Sequence, residues 1–148
     1  MLSDAEVKRF HEEGYLLGPR IYTEQEADAL TERMQQVMVG RRSGAERNEN
    51  LLSPDSGLVV HQIINLWEAD EFFRAHLYQE EICGDVARLM GAPVMRVWHD
   101  EVRHAPPRIG GTTGWRQDHP TWPIIQPPDL ISAWTALTDV TPENGGFW

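Results

Sequence analysis

Apolar and polar positions along the chain separate it into a helical first part and a strand-like last part. Ser3-Asp4-Ala5-Glu6 is a capping box, in which the serine hydroxyl and glutamate carboxylate satisfy free N–H groups at a helix start. Val7, Phe10 and His11 follow at helical spacing, and Gly14 ends the run. Thr23-Glu24-Gln25-Glu26 repeats the start signal. Ala27, Leu30, Met34, Val37 and Met38 then line one face as far as Gly40. Residues 41–57 are polar and rich in turn formers and read as a loop. The branched run Leu58–Leu66 reads as a strand, and residues 69–90 return to helical spacing through Phe72, Phe73, His76, Leu77, Ile82, Val86 and Leu89, up to Gly91.

After Gly91 the period changes. Val94–Arg103 alternates like a strand, and residues 104–114 form a turn-rich loop. Trp115–Asp118 reads as a short strand, His119–Asp129 as an extended, proline-punctuated stretch, and Leu130–Val140 as a further strand before the turn Thr141–Gly146. Helices first and strands second predict an α+β chain, a β barrel with a helical cover. The 148 residues suit one domain, with residues 1–91 as the cover and 92–148 as the first strands of the barrel. A two-sheet barrel needs about eight strands, roughly twice what the pattern supplies. Phe147-Trp148 begins a new apolar run directly after a turn. The expectation is that the barrel is incomplete in this chain and that the chain is the front of a longer protein.

Charge narrows the partners. The net charge of −10 repels nucleic acid backbones and anionic membranes, so neither is expected as a partner. No apolar run approaches the ~20 residues that cross a bilayer, and the N-terminus has no signal pattern. A single cysteine, Cys83, excludes an internal disulfide and suits the cytoplasm; its apolar helical neighbourhood places it in the core. Of six tryptophans, five fall from Trp98 onward, which marks a sheet core or an apolar pocket. His61 reads as a hydrogen-bonded core histidine.

The stretch Gly114-Trp115-Arg116-Gln117-Asp118-His119-Pro120-Thr121-Trp122, then Leu130–Val140 and Glu143-Asn144-Gly145, resembles the phytanoyl-CoA dioxygenase family of iron(II)/2-oxoglutarate oxygenases. Members typically read W-H-Q-D, an aromatic and a proline, a strand of the form s-A-W-x-A-L-x-D, then E-N-G. Phe10–Leu17 is similar to the family's first helix and its Gly-Tyr exit, and Val97–Pro107 to the strand and double proline before the metal motif.

The resemblance implies helices packed on a double-stranded β-helix, the jelly roll or cupin-like fold. It also implies iron(II) held by two histidines and a carboxylate, with 2-oxoglutarate as cosubstrate and a small-molecule substrate to hydroxylate. Asp118 matches the carboxylate. Arg116 stands where the first histidine belongs, and a guanidinium has donors but no lone pair for a metal. It could instead pair with Asp118 across one strand step, or attract the anionic cosubstrate. Trp134 matches a wall of the cosubstrate pocket, and Trp122 faces the substrate side. Ala105 replaces a frequent lysine. His119 is a weak alternative ligand, with His99 and His104 behind it.

Three readings stay open. The chain is an oxygenase of this class; or a non-catalytic relative that binds or interacts; or a truncated relative with no function of its own. A homo-oligomer or a complementing chain could complete the barrel.

Overall fold

The computed structural model describes residues 1–38, 46–53, 58–104, 117–144 and 146, and at 46–53 and 58–61 only their backbone. The chain divides into two compact units.

One unit comprises Met1–Ile21, Gln79–Arg96 and Thr113–Thr135. Its helix α1, Asp4–Glu13, starts at the capping box: Glu6 N–H donates to the Ser3 hydroxyl, and Ser3 N–H donates to the Glu6 carboxylate at 2.7 Å. Gly14 ends it at φ 81°, a left-handed conformation that a side chain would strain. Helix α5, Glu80–Met90, packs on α1. Leu2 and Leu89 are buried, Leu2 N–H donates to Asp85 Oδ1 at 3.2 Å, and Arg88 reaches Asp4 at 2.5 Å. Cys83 is exposed, which corrects the core reading. Leu89, Val86 and Ile82 form one covered stripe of α5, and Cys83 lies beside that stripe rather than on it.

The second unit comprises Tyr22–Tyr78, Val97–Thr112 and Ala136–Trp148. Helix α2, Glu24–Met38, begins at Thr23, whose N–H and hydroxyl both donate to Glu26 at 2.8 Å. Strands β1 (Glu46–Ser53), β2 (Leu58–Ile64) and β3 (Glu101–His104) form one antiparallel sheet in that order. Short helices α3 (Leu66–Ala69) and α4 (Glu71–His76) follow β2. Leu30, Met34 and Val37 of α2 meet Ile63, Leu66 and Phe73 in the core, with Val102 and Leu137 packed against them. Burial of each such side chain contributes roughly 2 kcal/mol.

Strand β1 falls in the stretch that reads as a loop. An edge strand needs only its backbone donors and acceptors, which polar residues supply as well as apolar ones. Its register runs from Glu46 opposite Ile64 to Ser53 opposite Leu58, with a bulge between Leu51 and Ser53. The alternating run Val94–Arg103 becomes a strand only near its end. Glu101–His104 is the part that finds β2, pairing from Ile64–Glu101 to His61–His104.

Residues 117–118 and 130–140 are not strands among the described residues. Asp118 has right-handed helical angles, φ −76° and ψ −35°, and His119–Thr121 is a 3-10 turn with Pro120 preset for it. The described residues are thus mixed helix and antiparallel sheet, an α+β arrangement, with three strands in a single sheet. None of the described helices is long and apolar enough to cross a membrane.

Candidate functional site

Asp118 sits at the start of the 3-10 turn in the first unit. Its carbonyl accepts from Thr121 N–H at 2.9 Å, and the His119 carbonyl accepts from Trp122 N–H at 2.9 Å. An aspartate that caps a helix does so from an extended backbone, whereas Asp118 is right-handed helical. It makes no capping bond. The half-buried carboxylate instead accepts the Ser132 hydroxyl at 2.6 Å.

His119 is differently engaged. Its Nε2 lies 3.0 Å from the Ile125 carbonyl. A carbonyl only accepts, so Nε2 must carry the proton there, and it has no lone pair for a metal in that arrangement. Trp122 is half-buried at the end of the 3-10 turn, and its carbonyl accepts from Ile125 N–H at 3.0 Å. Trp134, two residues past Ser132, is 55% exposed. Gln117 is exposed. Arg116 and Ala105 lie outside the described residues.

The two other candidate histidines, His99 and His104, are in the second unit. His99 is half-buried just before β3, and His104 ends β3, opposite His61 across the ladder. Between His99 and β3, Asp100 Oδ2 accepts from Trp67 N–H at 3.1 Å, and the Asp100 carbonyl accepts from Asn65 N–H at 3.0 Å. Burial pushes the Asp100 carboxyl above its ordinary value, against the lowering effect of the backbone donors around it. Asp100 thereby ties β3's lead-in to the start of α3, a structural use of a carboxylate that spacing alone does not reveal.

The turn after residue 140 closes as the motif suggests. Asn144 Oδ1 accepts from Thr141 N–H at 2.7 Å, and Asn144 Nδ2 donates to the Asp139 carbonyl at 2.8 Å. Gly145 lies outside the described residues.

As an iron(II) ligand, Asp118 offers the right chemistry: hard oxygen donors on a partly accessible side chain. It fits one position of a two-histidine, one-carboxylate set. Among the described residues no group of three or more histidine, cysteine, aspartate or glutamate side chains is placed to hold a metal ion.

No curated protein and no solved structure matches the chain. The family model for phytanoyl-CoA dioxygenase (PhyH) matches residues 10–148, through both units and across the whole of the Trp115–Asp118 and Glu143–Gly145 motifs. With that match spanning nearly its full length, the chain belongs to the phytanoyl-CoA dioxygenase family.

Proposed function

We propose that this chain serves as an iron(II)/2-oxoglutarate oxygenase that hydroxylates a small molecule, with Asp118 as the carboxylate ligand. The observation that carries the reading is the family match over residues 10–148; Asp118 is assigned the carboxylate place from its position in the Trp115–Asp118 sequence. When bound, iron(II) and 2-oxoglutarate would let O2 act as the oxidant, one oxygen atom going to the substrate C–H bond and the other to succinate as CO2 is lost. Asp118 contributes a fixed negative oxygen, and Ser132 donates to it. Trp134 offers an aromatic face two residues from Ser132, suited to the methylene carbons of a cosubstrate, and Trp122 walls the substrate side. The family's double-stranded β-helix is the fold in which this site would stand, and the cytoplasm is its place of action.

One observation favours a second reading. Arg116 occupies the first histidine's place, and a guanidinium brings charge but no lone pair to a metal. On that reading the protein is a non-catalytic relative whose Asp118 is paired rather than ligating. Iron(II) titration under nitrogen, followed by succinate formation from 2-oxoglutarate once O2 is admitted, separates the two. Iron binding that is lost in Asp118→Ala and strengthened in Arg116→His supports the oxygenase. Binding unchanged by Asp118→Ala refutes it, and no binding by any of the three proteins leaves the non-catalytic relative.

A further inference from the structure

We infer that the groove between helices α2 and α4 is a binding site for a small zwitterion, with Arg33 taking its carboxylate and Glu32 its ammonium group. The groove lies wholly within Tyr22–Tyr78 of the second unit and holds no residue of the proposed oxygenase site.

Ala29, Glu32, Arg33 and Gln36 are spaced three and four apart and so share one face of α2, and Phe72, near the start of α4, completes the lining. The groove measures about 350 Å3, at the small end of ligand pockets, which run roughly 300–1,000 Å3. Three observations set its chemistry. First, Arg33 is held in place. Its Nη1 donates to the fully buried Asp70 carboxylate at 3.1 Å, and its guanidinium carbon lies 3.6 Å over the centre of the Phe72 ring. Asp70 is its one hydrogen-bond partner among the described residues, so most of its N–H donors remain for a ligand. A guanidinium fixed on two sides has given up its freedom before a ligand arrives, which favours binding. Second, Glu32 brings the opposite charge to the same face. Gln36 Nε2 donates to Glu32 Oε1 at 3.4 Å, which leaves Glu32 Oε2 and the Gln36 side-chain carbonyl as acceptors. Third, the charges select among ligands. Arg33 and Asp70 cancel, and Glu32 leaves the groove negative. A lone carboxylate is repelled by Glu32, and a lone ammonium by Arg33. A zwitterion sets each of its charges beside the opposite one. The short side chain of Ala29 leaves room, and Phe72, 49% exposed, offers apolar surface to a small aliphatic group.

The test uses the full chain, isotope-labelled and titrated with L-leucine, with NMR read at the Arg33 Nε–H and Gln36 side-chain amide signals. Two further probes each lack one charge: isocaproate has no ammonium group, and isoamylamine has no carboxylate. The expected result is a saturable shift of both signals with L-leucine, and binding of either single-charge probe weaker by about 10-fold or more, the worth of one charge-assisted hydrogen bond. Glu32→Gln takes the charge from an exposed side chain, so it should raise the Kd by about 10-fold and leave the melting temperature unchanged. Arg33→Lys keeps a cation for Asp70 but loses the planar fork, with a similar rise expected. If Arg33→Lys fails to fold, Glu32→Gln carries the comparison alone. No saturable shift with L-leucine, isocaproate or isoamylamine binding as tightly as L-leucine, or a Kd unchanged in Glu32→Gln would each overturn the assignment. Binding that is lost in Asp118→Ala but kept in Glu32→Gln puts the ligand at the other site and also overturns it, whereas absent iron binding refutes only the oxygenase reading.

Discussion

Asp70 is the one buried charged residue among those described, and removing it should expose how the second unit is held. Its side chain is fully buried, between the core residues Leu66 and Phe73 in sequence. One oxygen accepts from Phe72 N–H at 2.8 Å and caps α4; the other meets Arg33 of α2 at 3.1 Å. Arg33 is 28% exposed, and its guanidinium lies 3.6 Å over the Phe72 ring. Asp70→Ala removes the cap, at a cost of about 1 kcal/mol. It also strands the guanidinium. Breaking a fully buried pair costs about 3–5 kcal/mol, but water reaches one side of Arg33, so about 1–2 kcal/mol applies here. The sum, about 2–3 kcal/mol, lowers the melting temperature by roughly 5–10 °C in a chain of this size. Asp70→Asn keeps a capping oxygen and loses only the ionic part, so it should melt between wild type and Asp70→Ala. Circular dichroism melts of the three proteins give the answer. An alanine variant that melts within a degree of wild type, or an asparagine variant less stable than alanine, would falsify the account.

Two further perturbations follow from the geometry. His76, whose Nδ1 pairs with the Tyr22 hydroxyl, is held below its ordinary pKa of 6.5 by burial. The unfolded chain therefore binds the proton first as pH falls, and this contribution to stability, present above pH 6.5, is lost as pH drops through the folded pKa. The melting temperature of wild type should fall more steeply between pH 7 and pH 5 than that of His76→Gln, and parallel profiles would refute the assignment. Asn144→Ala deletes two accessible hydrogen bonds, to Thr141 N–H and the Asp139 carbonyl, and should cost about 1 kcal/mol. An unchanged urea midpoint would mean that the backbone bond from Gly146 N–H to the Thr141 carbonyl, at 3.0 Å, holds the turn alone.

Helices α1 and α2 were legible in the residues because their signals are local. Ser3 with Glu6 and Thr23 with Glu26 satisfy N–H groups within one turn, Gly14 supplies a left-handed stop, and the apolar period of α2 marks its buried face. The branched run at 58–64 is similarly self-declaring as β2. The Asn144 turn and the family itself were also readable, from residue types at short fixed spacings.

What local pattern could not decide is partnership. The polar residues 46–53 carry no strand signature, yet they pair with β2, because an edge strand is made by hydrogen bonds to a distant backbone. The alternation of Val94–Arg103 looks like a full strand, but only Glu101–His104 lies against β2. Asp118 reads as a strand residue and in fact leads into the 3-10 turn His119–Thr121, where Pro120 and the bonds from Thr121 N–H and Trp122 N–H set the backbone. Asp70 and Ser132 look unremarkable along the chain; their meaning comes from Arg33, 37 residues away, and Asp118, 14 residues away. Capping, periodicity and turn chemistry act over a few residues and can be read in order, whereas ladders, buried ion pairs and oriented carboxylates exist only once folding brings separated residues within about 3 Å.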